Sequence, residues 1–307
     1  MDTLGSMAVF VRIVEARGFA RAAEQLGMSR AMVSKHVRYL EQRMGVRLLN
    51  RTTRHVSLTG PGAEYYQRCT QILADVEQAE SAAAAGTAQP RGVLRVNAPV
   101  SFGTLHVAAA VGKFVRRYPE LTVDLTLTDR IVDLAEEGFD VALRLTNRPD
   151  PSLIARRLGR VRVVLCAAPA YLREHGVPAA PEDLTRHNCL GYTYWFAPGE
   201  WRFKGPGGER VVRVSGNVRA NNGEALRELT LTGAGILLAP RYLLAEHLRN
   251  GRLVQLLAEY EIEPLGLYAV YAERRNLPAK VRLFIDFLAE YIGDPPYWEA
   301  NPLATER

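Results

Sequence analysis

The 307-residue sequence predicts an α/β protein: a small, basic, helical head with a β wing, followed by a larger body of alternating strands and helices. Three observations lead there. The net charge of +6 lies wholly in residues 1–62, which hold ten basic and four acidic groups, while residues 63–307 hold 29 of each. Glycines divide the first 45 residues into short segments of helical periodicity. From residue 93 to residue 300, apolar strand-like runs alternate with amphipathic patterns. A charge excess confined to one end points to an anionic partner there, a nucleic acid or a membrane surface. Composition near the globular average, with 48% hydrophobic residues, excludes disorder, collagen-like repetition and a disulfide scaffold. The odd, sparse set Cys69, Cys166 and Cys189 suits a reducing compartment. No run of 18 uncharged apolar residues occurs, and MDTLGSMAVFVRIVEAR carries charges where a signal core would be. The chain therefore reads as soluble and cytoplasmic, with no membrane partner.

In the head, Leu4, Met7, Ala8, Phe10, Val11 and Val14 recur at helical spacing, and Gly18 ends that helix. A second helix follows in FARAAEQL, and Gly27 permits a tight turn. Ser29 is placed to cap a third helix, SRAMVSKHVRYLEQRMG, which stops at Gly45. Two short helices joined by a glycine-bearing turn make a helix-turn-helix, whose second helix enters the major groove. Val33, Val37, Leu40 and Met44 should face inward, leaving Ser29, Arg30, Ser34, Lys35 and Arg38 as candidate DNA contacts. Arginine and lysine donate to guanine edges, and serine hydroxyls suit bases or phosphates. VRLLNRTTRHVSLTG then reads as a β-hairpin wing presenting Arg51, Arg54 and His55 to phosphates or the minor groove. The plainer alternative is a helical packing module with a solubilising arginine face.

The block FVRIVEARGFARAAEQLGMSRAMVSKHVRYLEQRMGVRLLNRTTRHVSLTGPG resembles the winged helix-turn-helix of LysR-type transcriptional regulators. The combination FARAAEQLGMS, VSKHVRYLE and a glycine-bounded RLLNRTTRHVSLT, in that order, carries the resemblance, which extends more loosely over the rest of the chain. Many members have Gln-Pro where this sequence has Arg30-Ala31. The resemblance divides the chain into a DNA-binding domain (1–60), a dimerising linker helix and hinge (61–92) and an effector-binding domain (93–307). It also implies that this last domain is two-lobed and Rossmann-like, as in periplasmic binding proteins. Lobe I is expected at 93–164 plus 266–300 and lobe II at 165–265, with two crossing strands.

From Pro61 the residues Tyr65 or Tyr66, Cys69, Ile72 or Leu73, Val76 and Ala79 form an apolar stripe at helical spacing. It suits either pairing with a second copy or ordinary core, and Cys69 suits both. In the body, strands are expected in VLRVNAPV, LTVDLTLT, VALRL, VRVVLCAAP, VVRVSGNV, GILLAP and LGLYAVYA. Helices are expected in FGTLHVAAAVGKFVRRY, IVDLAEEGF, GEALRELTLTG, PRYLLAEHLRNG and PAKVRLFIDFLAEYI, giving parallel sheets wrapped by helices.

Ligands of such sheets bind beyond the carboxyl ends of strands, against helix N-termini that favour anions. Two strand-to-helix junctions stand out: Ser101, Phe102, Gly103 and Thr104, and then Asn221 and Asn222. Plain N-capping accounts equally well for Ser101 or Asn222. Arg144, inside the apolar VALRL, wants Asp124, Asp140 or a ligand carboxylate. Tyr192, Trp195, Phe196 and Trp201 either wall the cleft or cover the core of lobe II.

Catalytic signals are thin. His36, His55, His106, His175, His187 and His247 show no metal-ligand spacing, and His187 and Cys189 form a lone pair. No GxSxG, GxGxxG or phosphate loop is present. The expectation is a non-enzymatic regulator without cofactor or metal. Its partners are double-stranded operator DNA, a small organic effector such as a carboxylate, a second copy or three further copies of itself, and RNA polymerase as a candidate. The rival is a small-molecule-binding or transport module with an incidental basic arm.

Overall fold

The computed structural model describes residues 1–51, 56–83, 90–194, 199–205, 207–272 and 277–300. The chain forms two compact units, Met1–Ala88 and Gln89–Arg307.

In the first unit, helix α1 (Thr3–Glu15) begins where the Asp2 carboxylate accepts the Leu4 and Gly5 amides. Helix α2 (Phe19–Gln25) and helix α3 (Arg30–Met44) flank a turn in which Gly27 takes a φ of 62°. Ser29 caps α3 by accepting the Met32 amide, and Gly45 ends it in the left-handed conformation. Phe10 and Ile13 of α1 pack with Val33, Val37 and Leu40 of α3, all fully buried. Each such side chain contributes about 1.5–3 kcal/mol on leaving water, enough to hold three short helices that would not persist alone. Strands β1 (Leu49–Arg51) and β2 (Val56–Leu58) pair antiparallel as the wing.

Thr59 turns the chain from the wing into helix α4 (Gly60–Ala83). Its hydroxyl donates to the Arg47 carbonyl at 2.6 Å and accepts the Gly62 amide at 2.9 Å. The apolar stripe of α4 starts as core of its own unit. Phe10 meets the Tyr65 ring at 5.7 Å, Cys69 is fully buried, and Leu73 packs on the same cluster. Cys69 is thus a packed thiol, whereas Ile72 on the adjacent face is 37% exposed.

The second unit contains two five-stranded sheets. Lobe I begins with β3 (Gly92–Ala98), followed by α5 (Val100–Phe102), a π-helical turn (Gly103–Val107) and α6 (Ala108–Arg117). Strands β4 (Leu121–Leu127), β5 (Val141–Thr146) and β6 (Ile154–Val161) follow. After the single residue Arg162 the chain enters lobe II as β7 (Val163–Ala167), then α7 (Pro169–His175), a 3-10 turn (Pro181–Arg186) and β8 (Cys189–Tyr192). Next come the hairpin β9 (Glu200–Gly205) and β10 (Gly208–Arg213), and then β11 (Arg219–Ala220) and α8 (Gly223–Leu231). Strand β12 (Ile236–Pro240), α9 (Arg241–Arg249) and β13 (Val254–Leu256) complete the lobe. The chain returns to lobe I through β14 (Leu265–Tyr271), α10 (Ala279–Ile292) and the short α11 (Tyr297–Ala300).

The strand orders are β4-β3-β5-β14-β6 and β11-β8-β12-β7-β13. Each lobe repeats one plan: a central strand, a parallel neighbour on one side, then a parallel neighbour on the other, followed by a strand of opposite direction. The chain therefore reverses its order beside β3 and β5, and again beside β8 and β12, which is where such sheets form ligand crevices. Phe102, Phe114 and Phe284 fill the core under lobe I, and Leu165, Phe203 and Ile236 the core of lobe II.

Three expectations change. The sheets are mixed, because β7 and β14, the strands that carry the chain between lobes, run antiparallel to their neighbours. Val163 and Val164, assigned above to lobe I, pair with Pro240 and Ala239 in the lobe II sheet. IVDLAEEGF forms turns and no helix: Asp133 accepts the Ala135 and Glu136 amides locally, and Gly138 takes a φ of 73°. A Cβ on Gly62 would stand 1.9 Å from the Leu48 carbonyl oxygen. Gly62→Ala should therefore destabilise the first unit by about 1–3 kcal/mol, read as a lowered urea midpoint for that unit alone.

Candidate functional site

On α3 the inward stripe leaves a polar outer face. Ser29, Arg30, Lys35 and Arg38 are exposed and Ser34 is half-buried. Ala31 and Met32 share the exposed first turn, so the end of the helix that would meet base edges carries cations and small apolar groups. Behind it the Ser6 hydroxyl donates to the Asp2 carbonyl and meets His36 Nδ1 at 2.9 Å, which seats α3 on α1. Ser29 serves as the helix cap, so its side-chain oxygen is already engaged. For Arg51 only the backbone is described, and Arg54 and His55 lie outside the described residues.

In the second unit, the two lobes meet at the carboxyl ends of their central strands. Ser101, 8% exposed in the first turn after β3, lies 3.2 Å from the hydroxyl of Tyr242 at the start of α9. The Tyr242 ring stands edge-on to Phe102 at 5.5 Å and to His106 at 5.1 Å. Asp129, just beyond β4, accepts the Val100 amide at 2.9 Å and interacts across the lobes with the Tyr192 hydroxyl at the end of β8. Burial raises the pKa of the Asp129 carboxyl, with Glu224 adding repulsion against the Val100 and Tyr192 hydrogen bonds. Burial likewise raises the hydroxyls of Tyr192 and Tyr242. Beside Tyr192 a cavity of about 260 Å³ opens toward Trp201, Ser215, Gly216 and Arg219.

The structure places the expected effector residues as follows. Ser101 stands in the cleft, but it does not cap its helix: Pro99 precedes the first turn and Asp129 takes the Val100 amide. Asn222 does cap α8, accepting the Ala225 amide at 2.8 Å, and Asn221 is exposed. Each helix N-terminus thus already holds one acceptor of the chain itself, Asp129 at Val100 and Asn222 at Ala225. Phe102 is 1% exposed core, Gly103 is pressed against Leu127, and Thr104 is exposed on the π turn.

Arg144 does not pair with Asp124 or Asp140. Its guanidinium donates to Asn97 Oδ1 at 2.5 Å and to the Leu143 carbonyl, while Asp140 accepts from Lys280 and from the Arg95 amide. Burial lowers the Arg144 pKa to about 10, so it stays cationic at neutral pH. Trp201 is buried in the lobe II core, Tyr192 faces the cleft, and Trp195 and Phe196 lie outside the described residues. Sequence reasoning missed Asp129 and Tyr242. Neither belongs to the two junctions singled out from the sequence; the position of each just past a strand, β4 or β12, where such sheets open a ligand crevice, was the available signal.

Burial pushes the Cys69 thiol up to about 11 and those of Cys166 and Cys189 to about 12, which keeps all three protonated. No group of three or more His, Cys, Asp or Glu residues able to hold a metal occurs among the described residues. Nor is any described helix long and apolar enough to cross a membrane.

Comparison with known proteins matches residues 4–63 to the bacterial regulatory helix-turn-helix of the lysR family and residues 87–293 to the LysR substrate binding domain. The regulator DmlR of Escherichia coli is 36% identical over 295 residues, covering 96% of either chain. The solved structure of CrgA, a LysR-type transcriptional regulator from Neisseria meningitidis, aligns with a TM-score of 0.60 at 36% identity, over 94% of this chain and 98% of that one. The full-length virulence activator AphB of Vibrio cholerae aligns with a TM-score of 0.59 at 29% identity, over 95% and 99%. With its helix-turn-helix and its two-sheet effector-binding domain, this chain belongs to the LysR-type family of transcriptional regulators.

Proposed function

We propose that this regulator grips operator DNA with the exposed face of α3 and the wing, and that a small organic acid held at the interlobe junction biases its DNA-binding state. The observation that carries the reading is the coincidence of surface charge and fold: the whole formal excess of +6 lies in residues 1–62, on the unit that displays α3. Arg30 and Lys35 serve as base-reading donors, Ser34 and Arg38 as neighbouring contacts, and the wing residues Arg51 and Arg54 as phosphate contacts.

The effector site joins the Ser101–Tyr242 pair and the Asp129–Tyr192 pair to the cavity that Tyr192 lines. Arg219 supports an acidic ligand, because it lines that cavity and makes no ion pair among the described residues. A ligand shifts the protein only through unequal affinity for its states, and a junction built from both lobes supplies that inequality. The reading has no catalytic step, places the protein in the cytoplasm with the operator, and uses the exposed face of α4 around Ile72 to pair copies into a dimer or tetramer. A contact with RNA polymerase is a further element of the proposal.

In a mobility-shift titration with the promoter beside its own gene, Arg30→Ala or Lys35→Ala should each weaken operator binding by roughly 1–3 kcal/mol. Binding that disappears entirely with competitor DNA, in the unaltered protein, would sink the regulator reading. In a thermal-shift screen of small organic acids, Arg219→Gln and Ser101→Ala should blunt the response to a stabilising acid while ligand-free operator binding stays as it was.

The Asp129 carboxyl gives a pH prediction. A carboxyl whose folded pKa is raised contributes stability that is present at low pH and is lost as pH rises through that pKa. Asp129→Asn should therefore raise the thermal midpoint of the second unit at neutral pH, and the gain should shrink toward about pH 4. An equal gain at both ends of that range would contradict the assignment.

A further inference from the structure

We propose that Glu299, in the short C-terminal helix, is a positioning residue for the interlobe site and acts on Tyr242 through the hinge residue Arg162. Arg162 is the single residue between β6 of lobe I and β7 of lobe II, so any change of angle between those strands passes through its backbone. The Glu299 side chain is 7% exposed and grips Arg162 twice. One carboxylate oxygen accepts the Arg162 backbone amide at 3.0 Å, and the other accepts from the Arg162 guanidinium. A buried carboxylate must keep such partners or pay its desolvation in full, so the hinge and α11 move together.

The Arg162 carbonyl faces the other way, toward lobe II, and accepts the Arg241 amide at 2.8 Å. Arg241 is the first residue of α9, where amides have no partner within the helix, and the next residue is Tyr242. Glu299, Arg162, Arg241 and Tyr242 thus form a continuous chain of contacts that ends on Ser101.

The residues flanking Glu299 reinforce the same coupling. The Trp298 indole donates to the Arg160 carbonyl at 3.3 Å, on the lobe I side of the hinge. The Tyr297 hydroxyl lies 2.6 Å from His106 Nδ1, and the His106 ring lies against both Trp298, at 4.9 Å, and Tyr242, at 5.1 Å. One turn of helix therefore holds the hinge by its backbone and the floor of the site by its rings. Its place in regulation rests on the function proposed above, but the coupling itself can be read without DNA or effector.

The test is hydrogen exchange of the full-length chain, resolved by peptide. Glu299→Ala should speed exchange about tenfold in peptides covering 160–163 and 241–245, and leave peptides covering 92–98 and 189–192 unchanged. Glu299→Gln keeps an acceptor for the Arg162 amide, so it should show a smaller rise at the same two places; it also serves if the alanine variant fails to fold. Unchanged exchange over 241–245 in a folded variant overturns the proposal. So does an equal rise across 92–98 and 189–192, which would make Glu299 a general stabiliser. A failed operator titration would leave this result standing, and a negative result here would leave the regulator assignment standing.

Discussion

The structure depends on one constraint: a single chain builds two sheets and passes between them twice. The lobe I sheet is not made from a continuous stretch, because β14 closes it only after the whole lobe II sheet, Val163–Leu256, has been completed. The crossing strands β7 and β14 are each the antiparallel member of their sheet, wedged between a parallel trio and an edge strand. They are anchored by backbone ladders on both sides, and the residues between sheets carry what freedom remains. The same topology aims both order reversals at one junction, so Ser101 of one lobe meets Tyr242 of the other without either lobe requiring an unusual local conformation.

The electrostatics of that junction differ from those of the head. The head spends its charge on an exposed surface where water still reaches Arg30, Lys35 and Arg38, which suits reversible contact with a polyanion. The junction contains few charges, and these are buried enough to be perturbed, as Asp129 and Arg144 show. Neutral hydroxyls from Ser101, Tyr192 and Tyr242 do most of the bridging there. A ligand entering such a place must replace internal hydrogen bonds, and this exchange can make its binding sensitive to the angle between the lobes.

Much of the fold was legible in the residues because local signals agreed with the tertiary outcome. Ser29 and Gly45 bracket α3 as cap and stop, and the burial of Val33, Val37 and Leu40 follows their spacing. Where sequence reading failed, local and tertiary preferences parted. In IVDLAEEGF the apolar residues Val132, Leu134 and Phe139 pack on the lobe I sheet as the spacing of a helix would allow, but Asp133 and Gly138 turn the backbone instead. Strand β6 carries Arg156, Arg157 and Arg160, and its edge position lets it pair with β14 on one side while those cations reach water. The candidate site was legible only in part. Ser101 stood out at a strand end, whereas Arg144 was satisfied by the neutral Asn97, whose proximity on β3 has no local signature. Tyr242 is placed by the Arg162 contact at the start of α9 and meets Ser101 across the lobes, relations between residues 79 and 141 apart in sequence.

The central claim is that the two units are thermodynamically linked through the effector-binding domain. The most direct measurement takes a small organic acid that stabilises the protein and titrates it against operator affinity, then titrates operator against acid affinity. Linkage requires both affinities to change by the same factor, expected at about 5–150-fold. An acid that binds the protein while leaving operator affinity unchanged, in either direction of the experiment, would contradict the account.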